Sequence, residues 1–130
     1  MKKRLQLNFG IVKIYPNNIL VSELNEGILF DVESNRKLLQ IGAEEFQGEA
    51  YGYISNRIYS YAVDPMVYKE SAEYSALKAI AVVSPREIGR RSAQVERSFY
   101  KDRNSFEIFS SFEDAKAWVT QSLETANFSI

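Results

Sequence analysis

Residues 77–83, with the sequence Leu-Lys-Ala-Ile-Ala-Val-Val, constrain the fold of this chain more than any other segment. All of them except Lys78 are apolar, which is typical of a β-strand that is covered on both faces. We therefore expect a strand in the middle of a sheet, with helices packed against that sheet. The longest wholly apolar run has five residues, whereas a membrane helix needs about 20. We expect no membrane insertion.

The order of the other elements predicts the fold class. Alternation of apolar and polar residues over 4–9 and 12–15, with a turn at 15–18 before the apolar residues 19–21, predicts an antiparallel hairpin. Downstream, apolar spacing and capping residues predict, in this order, a helix at 28–46, a strand at 50–54, a helix at 64–73, a strand at 77–83, a helix at 84–101, a strand at 106–109 and a final helix capped by Ser110 and Ser111. This order indicates an α/β fold in which a mixed sheet begins with the antiparallel hairpin and continues with alternating helices and mainly parallel strands.

Two short motifs predict where helices begin. Ser84, Pro85 and Glu87 form a capping box, with serine as the N-cap and proline as the first helical residue. Asp64 and Pro65 form a similar start. In the helix after Ser84, the apolar line expected to pack inward is Ile88, Val95 and Phe99, with Ser92 in register. In the final helix, the inward stripe is Ala115, Trp118, Val119, Ser122 and Leu123.

The length of 130 residues provides enough core for one domain. No repeat, low-complexity tract or linker divides the chain, so we expect a single domain over 1–130 with a short tail after about Ala126. The basic start, Met1–Arg4, is not followed by the apolar stretch of a signal peptide. The chain also has no cysteine, so a cytoplasmic location is expected.

The absence of cysteine and histidine excludes most familiar catalytic machinery. Thiol nucleophiles, imidazole bases, Ser-His-Asp triads and zinc or iron–sulfur sites are ruled out. The pairs Glu44-Glu45 and Glu113-Asp114 are adjacent on predicted helices, so their side chains point about 100° apart and form no catalytic dyad. No calcium-loop or phosphate-loop motif is present. We expect no catalytic residues, no metal and no cofactor.

Charge is balanced in total but uneven along the chain. The net charge is −1, which argues against nucleic-acid binding. Residues 22–50 contain seven acidic and two basic residues, whereas residues 86–103 contain six basic and three acidic residues. The basic series is Arg86, Arg90, Arg91, Arg97, Lys101 and Arg103. It is either a solvated helix face or a docking surface for an acidic partner, and residues 22–50 offer the acidic complement if the protein forms a homodimer.

Tyrosines and polar residues mark a candidate binding site. Six of the eight tyrosines lie between positions 51 and 74. In a parallel sheet, strands 50–54 and 77–83 end on the same side, so the loop 55–64 and the helix start at Ser84 should share one crevice, where open α/β sheets bind ligands. The predicted ligand- or partner-binding residues are Ser55, Asn56, Arg57, Tyr59, Ser60, Tyr61, Ser84, Arg86 and Arg90. Helix N-termini and arginines favour an anion there. Alternatively, acidic residues cap those termini, and the tyrosines only cover the sheet.

The chain resembles the SpoIIAA-like branch of the STAS fold, which is also similar to CRAL-TRIO lipid-carrier domains. The resemblance spans about residues 3–124 and rests on the element order and on Asp64-Pro65, the strand 77–83 followed by Ser84-Pro85, the segment 106–109 and the segment 112–119. It implies a non-enzymatic bacterial regulatory domain that binds a protein partner or a small ligand. Anti-sigma antagonists are phosphorylated on a serine within Asp-Ser-Ser/Thr-Gly. Here the matching residues are Tyr-Ile-Ser-Asn-Arg at 53–57, so that motif is absent.

Three functions are consistent with these observations. The leading hypothesis is a regulatory or interaction domain that binds a protein partner. The second is a carrier or sensor of a small apolar or anionic ligand, for which the aromatic residues near the crevice would form the binding site. The third is a hydrolase with an oxygen-ligated metal ion, which is the type of site that remains for a chain without histidine and cysteine.

Overall fold

The computed structural model describes residues 1–128, with side chains through residue 126. The strands of these residues are β1 (Lys3–Leu7), β2 (Gly10–Tyr15), β3 (Ile19–Leu24), β4 (Leu29–Phe30), β5 (Tyr51–Asn56), β6 (Ala62–Val63), β7 (Leu77–Val83) and β8 (Phe106–Phe109). The α-helices are α1 (Val32–Phe46), α2 (Met66–Ser71), α3 (Glu87–Arg97) and α4 (Phe112–Phe128). Residues 129 and 130, the end of the predicted tail, lie outside the described residues.

The main sheet has six strands in the order β1-β2-β3-β5-β7-β8. The pairs β1–β2 and β2–β3 are antiparallel, and the remaining neighbours are parallel. The turn between β2 and β3 contains Asn17 and Asn18, which both adopt the left-handed conformation that asparagine tolerates better than most residues. The predicted α/β class and the order of antiparallel and parallel strands are therefore confirmed.

Strand β7 is buried on both faces, as its sequence predicts. Ile80 and Val82 face a core that includes side chains of α1, α2 and α3. Ala79 and Ala81 face the opposite core, which α4 covers through Ala115, Val119 and Leu123. Within the predicted inward stripe of the final helix, Trp118 and Ser122 are only half-buried.

Gly52 of β5 allows α4 to pack closely on the sheet. A Cβ atom at position 52 would overlap the Cγ1 atom of Val119, which is fully buried. The final helix begins as predicted, because the Ser111 hydroxyl accepts a hydrogen bond from the backbone N–H of Asp114 at 3.4 Å. The helix then runs to residue 128, so residues 127 and 128 of the predicted tail belong to it.

Three helix starts differ from the prediction. The helix predicted to begin after Asp64 as N-cap begins at Met66, with Pro65 as its N-cap. The helix expected from residue 28 begins at Val32, because residues 29–30 pair as β4 with β6. Asp31 is its N-cap, and its carboxylate accepts a hydrogen bond from the backbone N–H of Ser34 at 2.9 Å. This bond lowers the pKa of Asp31. The capping box at Ser84 is also wrong: the chain is still extended at Arg86, and α3 begins at Glu87.

The largest difference concerns the orientation of α3. The apolar line predicted to pack inward is exposed: Ile88 is 72% exposed, Val95 64% and Phe99 48%. The buried residues of the helix are Ala93 and Glu96. A small residue permits this packing, since a Cβ atom at position 89 would overlap the Ser84 hydroxyl.

Candidate functional site

The ends of β5 and β7 form one rim of the sheet, as the sequence predicts. Ile54 pairs with Ala81, and Asn56 pairs with Val83, in parallel register. The backbone N–H of Arg57 continues the pairing by donating to the carbonyl oxygen of Val83 at 2.8 Å. The loop after β5 and the start of α3 therefore lie side by side.

A groove of about 220 Å³ lies between this loop and α3. It is lined by Arg57, Tyr59, Ser60, Tyr61, Ser84, Arg86, Ile88, Gly89 and Ser92. Six of the nine predicted site residues line it. The other three lie elsewhere: Ser55 is buried beneath the loop, the Asn56 amide donates to Glu23 at 3.3 Å, and Arg90 donates to the carbonyl oxygen of Ser84 at 2.9 Å.

Beneath the groove, Arg57 forms a buried ion pair with Glu96 of α3. Both residues are 7% exposed. The guanidinium donates through Nη1 to Glu96 Oε2 at 2.8 Å and through Nη2 to Glu96 Oε1 at 2.6 Å, which is a bidentate geometry. Its Nε donates to the Ser55 hydroxyl at 3.1 Å, and its planar group lies 5.4 Å from the centre of the Tyr61 ring. Arg57 thus connects the end of the sheet to α3 and is not available at the surface.

Buried phenols complete this polar network. Tyr68 donates to Glu96 Oε1 at 2.5 Å, and the hydroxyls of Tyr61 and Ser55 are 2.9 Å apart. Burial raises the pKa values of Tyr68 and Tyr61, so these phenols stay protonated at neutral pH and are poor bases. Burial alone would lower the pKa of Arg57, but the hydrogen bonds and charge of Glu96 raise it well above its ordinary value. The network is charge-compensated, and its groups are arranged to hold α3 in place.

The two arginines near the start of α3 contact backbone carbonyls. Arg86 reaches the carbonyl oxygens of Arg57 and Ile58, both at 3.4 Å, and Arg90 bonds that of Ser84. Glu87 lies in the first turn of the helix. Both arginines therefore bind backbone groups of the chain itself. Such contacts are of the kind expected if this edge of the sheet is held together by local capping interactions.

An exposed apolar surface extends from the loop along α3. We define it as Ile58, Tyr59, Ile88, Val95 and Phe99, which are all exposed. Tyr59 and Ile88 line the same groove, so the two parts are continuous. Apart from Tyr59, these residues were missed as site residues, because an apolar line on an amphipathic helix is ordinarily its core face. The sequence does contain an indication of the buried face. Gly89 and Ala93 lie on one side of the helix, where their small size permits close packing, and Glu96 lies on the same side.

The described part of the chain also contains open clefts of about 540 Å³ on α4 and about 410 Å³ between the β1–β2 turn and α1. A cavity between α1 and the sheet has room for about 10 Å³ of solvent, which is about one water molecule. Among residues 1–128, no three acidic side chains come together in a way that could hold a metal ion. In the same residues, every helix is too short or too polar to cross a membrane.

No protein-family model matches the sequence, and no curated protein matches it. Among solved structures, the chain is similar to an uncharacterized protein of the DUF3478 family from Shewanella loihica PV-4, which has a SpoIIAA-like fold. The two sequences are 12% identical, the alignment covers 83% of this chain and 90% of that one, and the TM-score is 0.53. At this identity the similarity concerns the fold alone. It agrees with the resemblance drawn from the sequence, and the chain has a SpoIIAA-like fold.

Proposed function

We propose that this chain is a single, non-catalytic interaction domain that binds a protein partner through the apolar surface of Ile58, Tyr59, Ile88, Val95 and Phe99. The observation that carries the proposal is the outward orientation of the apolar line of α3. Contiguous exposed apolar side chains on a small protein are typical of protein-binding sites. Aromatic residues such as Tyr59 and Phe99 are enriched in the centres of such interfaces.

The buried ion pair explains why this apolar surface persists. Turning α3 to bury Ile88 and Val95 would move Glu96 away from Arg57 and leave a buried guanidinium without its partner. An uncompensated buried charge is strongly destabilising. The apolar line therefore stays exposed in the isolated chain, and a partner is the means by which it would become buried.

The remaining parts of the proposal rest on the fold and the composition. A regulatory, non-enzymatic role in a bacterial cell is what the resemblance to the SpoIIAA-like branch implies, and the SpoIIAA-like fold supports it. The chain lacks histidine and cysteine, which carry much of the acid–base and nucleophilic chemistry of enzymes. A chain without cysteine needs no oxidising compartment, so the proposal includes a cytoplasmic location.

The ligand-carrier and metal-hydrolase alternatives have less support. Pockets for small ligands usually have volumes of about 300–1,000 Å³. The groove beside α3 measures about 220 Å³ and is open to solvent, and the larger clefts, of about 540 and 410 Å³, lie away from the predicted site. A hydrolase with an oxygen-ligated metal needs clustered carboxylates, and residues 1–128 contain no such group.

The test is to capture partners from a lysate of the source cell and to measure the affinity of each purified partner for defined variants. We expect Ile88→Ser combined with Val95→Ser to weaken binding about tenfold or more, because central apolar contacts contribute most of the energy of an interface. The matched control is Leu29→Ser combined with Met66→Ser, which removes two exposed apolar side chains elsewhere and should leave the affinity unchanged. Equal affinities of both double variants and the wild type would refute the proposed surface.

A further inference from the structure

The shape of the apolar surface indicates what kind of segment it accepts. On α3, Ile88 and Val95 are seven residues apart, with Ser92 between them, and Phe99 follows just beyond the end of the helix. Ile88 and Val95 therefore lie on one side of the helix, about 10 Å or two turns apart. The groove between Tyr59 and Ile88 runs beside this line. A straight apolar stripe with a lateral groove fits the apolar face of an amphipathic helix.

The charges around the stripe are mainly positive. Arg91 is three residues after Ile88 and four before Val95, so it neighbours both on the helix surface. Its side chain is exposed and forms a salt bridge with the exposed Glu87 at 2.8 Å. Beyond the end of the helix, Lys101 and Arg103 are exposed on either side of the exposed Asp102, so these three residues together carry a net charge of +1. The other acidic residue of α3, Glu96, is buried against Arg57 and contributes no negative charge to the surface.

We infer that the partner presents an amphipathic helix whose apolar face is flanked by Asp and Glu side chains. This inference rests on the proposed function and specifies the chemistry of its partner. Apolar side chains of that helix would cover Ile88, Val95 and Phe99, while its carboxylates would face Arg91 and Lys101. Complementary charges at the edge of an interface accelerate association and exclude wrong partners. A second copy of this chain fits less well, because two stripes in contact would bring their arginines together.

The experiment uses synthetic helical peptides as probes. One peptide carries a leucine face flanked by glutamates, the second has the same leucines flanked by lysines, and the third has the glutamates but serine in place of leucine. We expect the Leu/Glu peptide to bind the full chain with an affinity that falls as salt is raised. The Leu/Lys peptide should bind about tenfold more weakly or worse, and the Ser/Glu peptide should not bind. Equal binding of the Leu/Glu and Leu/Lys peptides would overturn the inference.

Charge-reversal variants of the protein test whether its positive side chains select the acidic peptide. Arg91→Glu combined with Lys101→Glu changes two exposed residues outside the buried network, and we expect it to prefer the Leu/Lys peptide. The control, Lys37→Glu combined with Lys69→Glu, changes two exposed residues of α1 and α2 and should keep the preference of the wild type. An unchanged preference in the first variant would contradict the inference.

Measuring how the two double variants bind the natural partner distinguishes a failure of this inference from a failure of the proposed function. If binding is lost with Ile88→Ser and Val95→Ser but is unaffected by Arg91→Glu and Lys101→Glu, the apolar surface is correct and the acidic partner is wrong. If neither variant affects binding, both are wrong. Two further outcomes also overturn the inference: binding to vesicles of phosphatidylglycerol and phosphatidylcholine without binding of the Leu/Glu peptide, and a dimer in sedimentation that is abolished by the Ile88 and Val95 variants.

Discussion

Arg57 and Glu96 show how a single pair of residues determines the character of a surface. The sequence predicts Arg57 as a binding residue because it follows a strand in a loop rich in tyrosine and serine. In the structure its guanidinium is fully engaged by Glu96, Ser55 and Tyr61. Its contribution to the proposed surface is therefore indirect: its bonds to Glu96 join α3 to the end of β5 in the orientation that exposes Ile88 and Val95.

This role leads to a prediction for the stability of three variants. Arg57→Met or Glu96→Leu alone should lower the free energy of unfolding by about 3–5 kcal/mol, because each leaves one charge buried without a partner. The double variant should be more stable than either single variant, since neither charge remains. Urea denaturation of the four proteins measures the coupling directly. Losses that simply add in the double variant would show that the two residues act independently.

At the scale of elements, α3 differs most from its prediction. Its apolar line and its buried line are one residue apart in the sequence, which separates them by about 100° around the helix axis. Gly89 and Ala93 let the helix approach the sheet closely, and Tyr100 joins an aromatic cluster with Tyr68 and Phe106 beyond its end. The helix is thus packed by its small residues and leaves its large apolar ones exposed.

Substitutions on the two faces of α3 should differ in their effect on stability. We expect Val95→Gln to change the free energy of unfolding by no more than about 0.5 kcal/mol, as for exposed positions in general. Ala93→Leu should lower it by about 1–3 kcal/mol, because position 93 is fully buried and additional methyl groups overpack the core. Thermal unfolding followed by circular dichroism distinguishes these outcomes. A large loss for Val95→Gln with little loss for Ala93→Leu would mean that α3 packs by its apolar line in solution.

At the scale of the whole molecule, buried tyrosines connect the sheet with three of the helices. Burial raises the pKa of Tyr51 to about 12 from an ordinary value of 10.0, and it raises those of Tyr53, Tyr61, Tyr68 and Tyr100 as well. The folded chain therefore holds these phenolic protons more tightly than the unfolded chain does. Their contribution to stability is complete below pH 10 and is lost as the pH rises through the folded-state values.

Alkaline titration should show this linkage. We expect the free energy of unfolding to fall between pH 10 and pH 12, and phenolate absorbance to increase together with the loss of the circular dichroism signal. In this window Tyr51→Phe should make the fall shallower by up to about 1.4 kcal/mol per pH unit, because one linked proton is removed. Titration of the phenols in a chain that keeps its native circular dichroism throughout would contradict this prediction.

The sequence by itself determined the order of the main helices and strands and the change from antiparallel to parallel pairing along the main sheet. The signals for these features are local: alternation in the first hairpin, an apolar run at 77–83, and a serine at position 111 before the last helix. The shared rim of β5 and β7 was also predictable, since the carboxyl ends of parallel neighbouring strands meet at the same edge of a sheet.

The tertiary structure alone decided where α1 begins and which face of α3 is buried. The start of α1 depends on pairing between Leu29 and Ala62, which are far apart in the sequence. The orientation of α3 depends on Arg57, whose partner Glu96 lies 39 residues away. An amphipathic pattern shows which face of a helix is more polar. It does not show that a buried arginine on another element needs a carboxylate from that helix. In the structure Glu96 faces Arg57, and the apolar line of α3 lies at the surface.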